Sequence, residues 1–293
     1  MSQIAETALV FEGGGMRASA TAPVVIKLIE AGLEFPHVSG ISAGSSHVAN
    51  YLSRDPLRAR RSFVEFGADP NIGSWRTFLS GKGAFNSDYI YLHTSRPGQA
   101  LPFDFETFQS TPGDFDISAF RLSDGAAVHW HRGDIKVLDD LLVRVQASST
   151  MPGIMPFVTL DGELYADGAL GPSGGIPIDA AEAAGFERAV VIMTKPRDYV
   201  RPAPSRKASA LIRAAFRKYP HLITALEERA AKYNATRAHL FDLEARGRAY
   251  LYFPRHQLTS NRETNVAKLE ASFAAGTAQI NEDFPAILRF LGL

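Results

Sequence analysis

Apolar and polar positions fall in short blocks along the first fifty residues. Residues 8–11 form an uninterrupted apolar run of strand length, which stops at Glu12 and three glycines, Gly13, Gly14 and Gly15. A helical pattern then extends from about residue 21 to 31, carrying Val24, Val25, Leu28 and Ile29, and Gly32 can end it. A second short strand is expected over residues 35–39, followed by a turn through Gly40-Ile41-Ser42-Ala43-Gly44 into a helix from about 43 to 54. Two strand-to-helix turns in succession predict an α/β domain with a mainly parallel sheet, its ligands lying outside the carboxyl ends of the strands.

The pattern loosens from residue 55 to 115, where Gly67, Pro70, Gly73, Gly81, Gly83, Pro97, Pro102 and Pro112 interrupt any long element. This segment is expected to be a cap or lid insertion. Its aromatic residues, Phe63, Phe66, Trp75, Phe78, Phe85, Tyr89, Tyr91, Phe103, Phe105 and Phe108, read either as packing under long loops or as the lining of an acyl-chain groove. Residues 115–121 and 126–131 flank Asp124-Gly125, a hairpin signal, and residues 138–147 read as a helix. Residues 189–193 are the strongest buried-strand run, preceded by a helix over 177–184 that Gly185 terminates. Residues 199–293 are expected to be a mainly helical extension of one single domain, with a strand at 249–253 and two late helices near 266–275 and 278–291.

Composition narrows the chemistry. The 293 residues, 45% of them hydrophobic, can bury a large core, and 31 basic residues balance 31 acidic ones, so no overall field attracts nucleic acid. With no cysteine, disulfide, thiolate and cysteine-ligated metal chemistry are excluded. The N-terminal residues lack a basic region followed by a long apolar stretch, and no apolar run is long enough to span a bilayer, so a cytoplasmic protein is expected.

Gly40-Ile-Ser-Ala-Gly44 reads as a nucleophile elbow: the glycines relieve crowding so that Ser42 can project from a strained bend. Gly13, Gly14 and Gly15 would let backbone amides approach a developing oxyanion, with Arg17 as a loop anchor or a source of positive potential. The same loop fits a relaxed dinucleotide fingerprint, Gly13-x-Gly15-x-x-Ala18. The acid that reading needs should end the second strand, whereas Glu34 precedes it. Serine needs a base, and Asp167, held between a hairpin-like stretch at 160–165 and Gly171-Pro172, is the best-placed acid.

Glu12-Gly-Gly-Gly-Met-Arg17, Gly40-Ile-Ser-Ala-Gly44 and Asp167-Gly-Ala169, in this order, resemble the patatin-like phospholipases. Ala147-Ser-Ser-Thr-Met-Pro152 is similar to the segment that precedes the family's catalytic aspartate. The resemblance covers about residues 8–194, and residues 253–276 are similar to one bacterial branch. It implies a three-layer α/β/α fold, lipid acyl hydrolysis without a cofactor or metal, and a Ser-Asp dyad. By position, Ser42 would be the nucleophile, Asp167 the base, and Gly13, Gly14 and Gly15 the oxyanion hole, assisted by Arg17. Glu12 and Ala18 depart from the commonest pattern, which has Asp and Gly there; neither removes a catalytic group, and Ala18 reduces backbone freedom where the helix begins.

Phospholipid, lysophospholipid or a related acyl ester is the expected substrate. General esterase or thioesterase activity, and a non-catalytic lipid-binding role, are the alternatives. A Ser-His-Asp triad drawing on His221, His239 or His256 also fits the chain order, and His47 reads as a packed or capping residue. His129-x-His131 would share one strand face but lacks a third metal ligand. Residues 199–226 hold six basic and no acidic residues beside an apolar stripe of Leu211, Ile212, Ala215 and Phe216, a pattern suited either to plain solvation or to peripheral contact with anionic lipid.

Overall fold

Strands β1 (Thr7–Phe11), β2 (His37–Gly40), β3 (Asp114–Arg121), β4 (Ala127–Trp130), β5 (Val158–Leu160), β6 (Glu163–Asp167), β7 (Arg188–Ile192) and β8 (Ala249–Tyr252) form one sheet. The computed structural model describes residues 3–73 and 84–293, so Trp75, Phe78, Gly81 and Gly83 lie outside the described residues. The heart of the sheet is parallel: β1 lies between β2 and β7, β8 adds to β7, and β2 pairs with the first half of β3. The remaining pairs, β3 with β4, β3 with β6 and β5 with β6, are antiparallel.

All five residues of β1 are buried, as a central parallel strand covered on both faces requires. The strand's period of two divides them: Leu9 and Phe11 join one core, Ala8 and Val10 the other. The helices are α1 (Ala22–Glu30), α2 (Ala43–Leu52), α3 (Pro56–Phe63), α4 (Phe105–Ser110), α5 (Leu138–Ser149), α6 (Ile178–Ala183), α7 (Arg206–Ala215), α8 (Pro220–Ala245) and α9 (Val266–Leu291). Side chains of α1, α2, α5 and α9 fill the first core, and those of α6 and α8 the second. Three layers result.

Both hairpin signals hold. Phe120 pairs with Ala127 around Asp124-Gly125, and Leu160 pairs with Glu163 around Asp161 (φ 52°) and Gly162 (φ 80°), the two positive angles that a tight hairpin turn needs. Within the interrupted segment, Ala59 of α3, Val64 and Phe108 of α4 are fully buried. No described helix is long and apolar enough to cross a membrane.

One expectation fails at the end of the chain. The two late helices are a single helix, α9, running through Gly276. A Cβ at Gly276 would stand 2.2 Å from the Ala20 carbonyl oxygen, so this glycine lets α9 pack against the turn after the glycine loop rather than ending a helix.

Register along β3 positions the site. Ile117 pairs with Gly40 and Trp130, and Ala119 with Asp167 and Val128. A strand has two edges, so β4 occupies one and β2 and β6 share the other. The last residues of β2 and β6, running in opposite directions, therefore face each other across the Ser118 position.

Candidate active site

Ser42 sits two residues past the end of β2 and caps α2 with φ 58° and ψ −126°, a region that side chains other than glycine rarely adopt. Its amide donates to Ser148 Oγ at 2.9 Å, which braces the bend from α5. A Cβ at Gly44 would meet the Phe11 carbonyl oxygen at 2.3 Å, so only glycine lets α2 start so close to β1. Ser42 Oγ donates to Asp167 Oδ2 at 3.0 Å.

Asp167 ends β6, and its amide donates to the Thr150 carbonyl at 2.8 Å. The segment 147–152 thus holds both residues, Ser42 through Ser148 and Asp167 through Thr150. The second carboxylate oxygen, Oδ1, accepts the Ala169 amide at 2.9 Å. Burial pushes the Asp167 carboxyl above its ordinary value, opposed by the charge of Arg229, the Ala169 amide, the Ser42 hydroxyl and Arg201.

The glycine loop divides its roles. The Gly13 amide donates to the Gly175 carbonyl at 2.9 Å, so Gly13 has no donor to offer, which corrects its expected place in an oxyanion hole. Space is what it supplies: a Cβ there would lie 3.1 Å from Ser42 Cβ and 3.0 Å from the Ile41 oxygen. Among the described residues, no acceptor meets the amides of Gly14 and Gly15. Gly15, at φ 53°, faces the Asn261 carbonyl, which accepts the Met16 amide at 3.1 Å. Arg17 is buried behind the loop, with Nη2 3.5 Å from the Gly13 oxygen and 3.4 Å from Thr194 Oγ1. It braces the loop's carbonyl side, and a direct part in the oxyanion hole is not what these contacts describe. Glu12 is also buried and accepts from Tyr233 Oη at 2.8 Å and from the Thr194 amide.

An apolar cleft opens at Ser42. Phe63, Phe66, Phe85, Tyr91, Phe103 and Met155 are among its walls, so five of the aromatics singled out in the interrupted segment reach it. Phe108 is fully buried in the core and Phe105 packs against it, so for those two the packing reading holds. Asn261 lines the cleft as well.

Among the described residues, no histidine is hydrogen-bonded to or ion-paired with Ser42 or Asp167. His239 is hydrogen-bonded to Glu182 at the surface, His221 lies against Gly125 of the β3–β4 hairpin, and His256 is exposed. His47 is buried between Phe11 and Phe63 with Nε2 2.9 Å from Thr21 Oγ1, and burial lowers its pKa to about 3. His129 pairs with Asp116 at 2.8 Å, which raises its pKa. Glu34, the weak point of the dinucleotide reading, pairs with Arg54 at 3.5 Å.

Residues 9–181 match the patatin-like phospholipase family. The chain belongs to that family. The match spans more than half the chain, and the family is one of lipid acyl hydrolases with a mixed α/β fold. Residues 219–292 match a domain of unknown function, DUF6363. Comparison with curated proteins finds no match. Among solved structures, VipD from Legionella pneumophila resembles this patatin-like chain with a TM-score of 0.45 and 11% identity, over 94% of this chain and 66% of that one.

Tyr233 and Asn261 were not singled out by sequence. Both lie in the 219–292 segment, and no motif marks them.

Proposed function

We propose that this protein is a serine lipid acyl hydrolase acting on phospholipids or lysophospholipids through a Ser42–Asp167 dyad. The hydrogen bond from Ser42 Oγ to Asp167 Oδ2, on a serine held at positive φ beside an apolar cleft, carries the reading. Asp167 accepts the Ser42 proton as Oγ attacks the ester carbonyl carbon, and the unpartnered Gly14 and Gly15 amides receive the charge that develops on the carbonyl oxygen. The proton passes to the leaving alcohol, giving an acyl-enzyme. Water then attacks the acyl carbon, Asp167 takes its proton, and the proton returns to Ser42 as the fatty acid leaves.

Burial serves this cycle, because a carboxylate raised above its ordinary value is a stronger base. The acyl chain would lie along Phe63, Phe66, Phe85 and Tyr91, where each buried methylene contributes about 0.8 kcal/mol. The test is fatty-acid release from phospholipid vesicles and lysophospholipid micelles, beside short p-nitrophenyl esters and acyl-thioesters. Release from the lipids supports the reading. Turnover of only short esters or thioesters assigns a general esterase, and no turnover of any contradicts catalysis.

A further inference from the structure

Beside the catalytic pair lies an excess of positive charge that the acyl-transfer chemistry does not use. Arg17, Lys195 and Arg229 lie within electrostatic reach of Glu12, and Arg201 and Arg229 within reach of Asp167, so four cations share the field of two carboxylates. Both carboxylates are engaged elsewhere, Glu12 by Tyr233 and Thr194, Asp167 by Ser42 and Ala169. Among the described residues, the guanidiniums of Arg201 and Arg229 meet no carboxylate and no hydrogen-bond acceptor, and Nε of each is buried and unsatisfied. The buried Arg17 Nε is likewise without a partner. With a buried Nε that lacks a partner and terminal nitrogens that no described acceptor occupies, the guanidiniums of Arg201 and Arg229 keep unused donors suited to an anion that arrives from outside.

The cluster has a built frame. Tyr199 and Tyr233 meet edge to face with centroids 6.0 Å apart; Lys195 Nζ lies 4.3 Å from the Tyr199 centroid and the Arg201 guanidinium 4.7 Å from that of Tyr233. Tyr233 is tied to Glu12 at the start of the glycine loop. Arg229 reaches the Gly174-Gly175 turn, where a Cβ on Gly175 would lie 3.9 Å from Nη2, and the carbonyl of Gly175 holds the Gly13 amide beside Ser42. None of the four cations lines the apolar cleft. Arg201 and Arg229 both act on the charge of Asp167, which places them within electrostatic reach of an ester held at Ser42.

We propose that Arg201 and Arg229, supported by Lys195 and Arg17, bind the phosphate of a lipid headgroup next to the scissile ester. Guanidinium groups suit phosphate oxygens because their N–H donors match them in pairs. Arg201 and Arg229 both lie outside residues 9–181, and Arg229 belongs to the segment of unknown function, 219–292, which on this account supplies headgroup recognition to the hydrolase. The assignment deepens the acyl-hydrolase reading and rests on it for the position of the ester. It is read by binding alone, so either can fail while the other stands.

The experiment uses the full chain carrying Ser42→Ala, titrated calorimetrically with dodecyl phosphate, with the neutral dodecyl glycerol ether and with inorganic phosphate. Dodecyl phosphate should bind about tenfold or more tighter than the glycerol ether, since a charge-assisted hydrogen bond is worth about a factor of ten. Arg201→Gln, on a half-exposed segment, should reduce that advantage about fivefold or more, and Arg201→Gln with Arg229→Gln should abolish it. Inorganic phosphate, lacking the chain, should bind far more weakly than dodecyl phosphate. Equal affinity for the two amphiphiles, or an advantage that survives in the double variant, overturns the proposal. Inorganic phosphate binding as tightly as the alkyl phosphate would make this a site for free phosphate and overturn the headgroup assignment.

Discussion

Ser42 Oγ and Asp167 Oδ2 are joined by a 3.0 Å hydrogen bond although 125 residues separate them in the chain. The contact follows from β3, along one edge of which β2 and β6 end face to face at Ile117 and Ala119.

If Asp167 is the base, Asp167→Asn should lower kcat by about 10²–10⁴ and leave the fold intact. Its carboxyl is raised above the ordinary value, and the ionised form is the active one. Activity in the wild type should therefore fall as pH drops through a limb above the usual carboxylate range of about 3.9. Arg229→Gln removes a charge that holds this value down and should move the limb to higher pH. A pH profile of kcat/KM for the two proteins checks both signs.

The same shift predicts a stability effect. A folded-state value above the unfolded one means that the contribution of Asp167 is favourable below its unfolded value and is lost as pH rises through the folded value. At pH values above its unfolded value Asp167 opposes folding, so Asp167→Asn should be at least as stable as the wild type at neutral pH. Urea denaturation at pH 7.5 measures it.

Gly14→Ala would place Cβ 2.8 Å from Thr194 side-chain atoms, and Gly15→Ala, at positive φ, 2.3 Å from the Asn261 oxygen. Each should displace the two free amides and lower the rate of covalent inhibition by a fluorophosphonate about 10²–10³-fold, the effect of losing one oxyanion donor. Gly13→Ala should also slow the reaction, by crowding Ser42 and not by removing a donor.

His47, whose pKa is lowered to about 3, must stay neutral in the folded protein while it titrates near 6.5 when unfolded. Stability should therefore decline as pH falls below about 6.5, by roughly 2–3 kcal/mol between pH 6.5 and 4.5. In His47→Gln that share of the decline should vanish, and turnover at pH 8 should persist, because the ring does not contact Ser42 or Asp167. Denaturant midpoints at the two pH values test it.

Tyr233→Phe removes the Tyr233–Glu12 hydrogen bond and should cost about 1.5–3 kcal/mol, the range for a buried bond to a charged group. Because Glu12 starts the glycine loop, kcat should fall more than KM changes. Paired unfolding and kinetic measurements separate the two effects.

Helix α7 buries no residue, and Leu211 on it is 71% exposed. Arg213 is held by Glu227 at 2.8 Å, whereas Arg206, Lys207, Arg217 and Lys218 have no carboxylate partner among the described residues. If this face meets lipid, co-sedimentation with anionic vesicles should weaken several-fold with Leu211→Glu and with added salt. Equal binding to neutral vesicles would remove the electrostatic basis.

The parts of the site that are contiguous in sequence were legible there. The run at 8–11, the glycine loop and the bend at Ser42 each announce themselves through local spacing, and Asp167 through its turn. What was not legible depends on partners far along the chain. That the Gly13 amide is taken depends on Gly175, the bracing of Glu12 depends on Tyr233, and the seat of Met16 depends on Asn261. Gly276 reads locally as a helix break, and only the approach of Ala20 explains why it is not one. Arg229 shows no pattern on its helix, and its relation to Asp167 appears only in three dimensions.

Covalent labelling by a fluorophosphonate, read by peptide mass spectrometry, tests the central claim most directly. A single phosphonyl adduct on Ser42 is expected, absent in Ser42→Ala and formed at least about a hundredfold more slowly in Asp167→Asn. An unlabelled wild type, or labelling that persists in Ser42→Ala, would contradict the dyad.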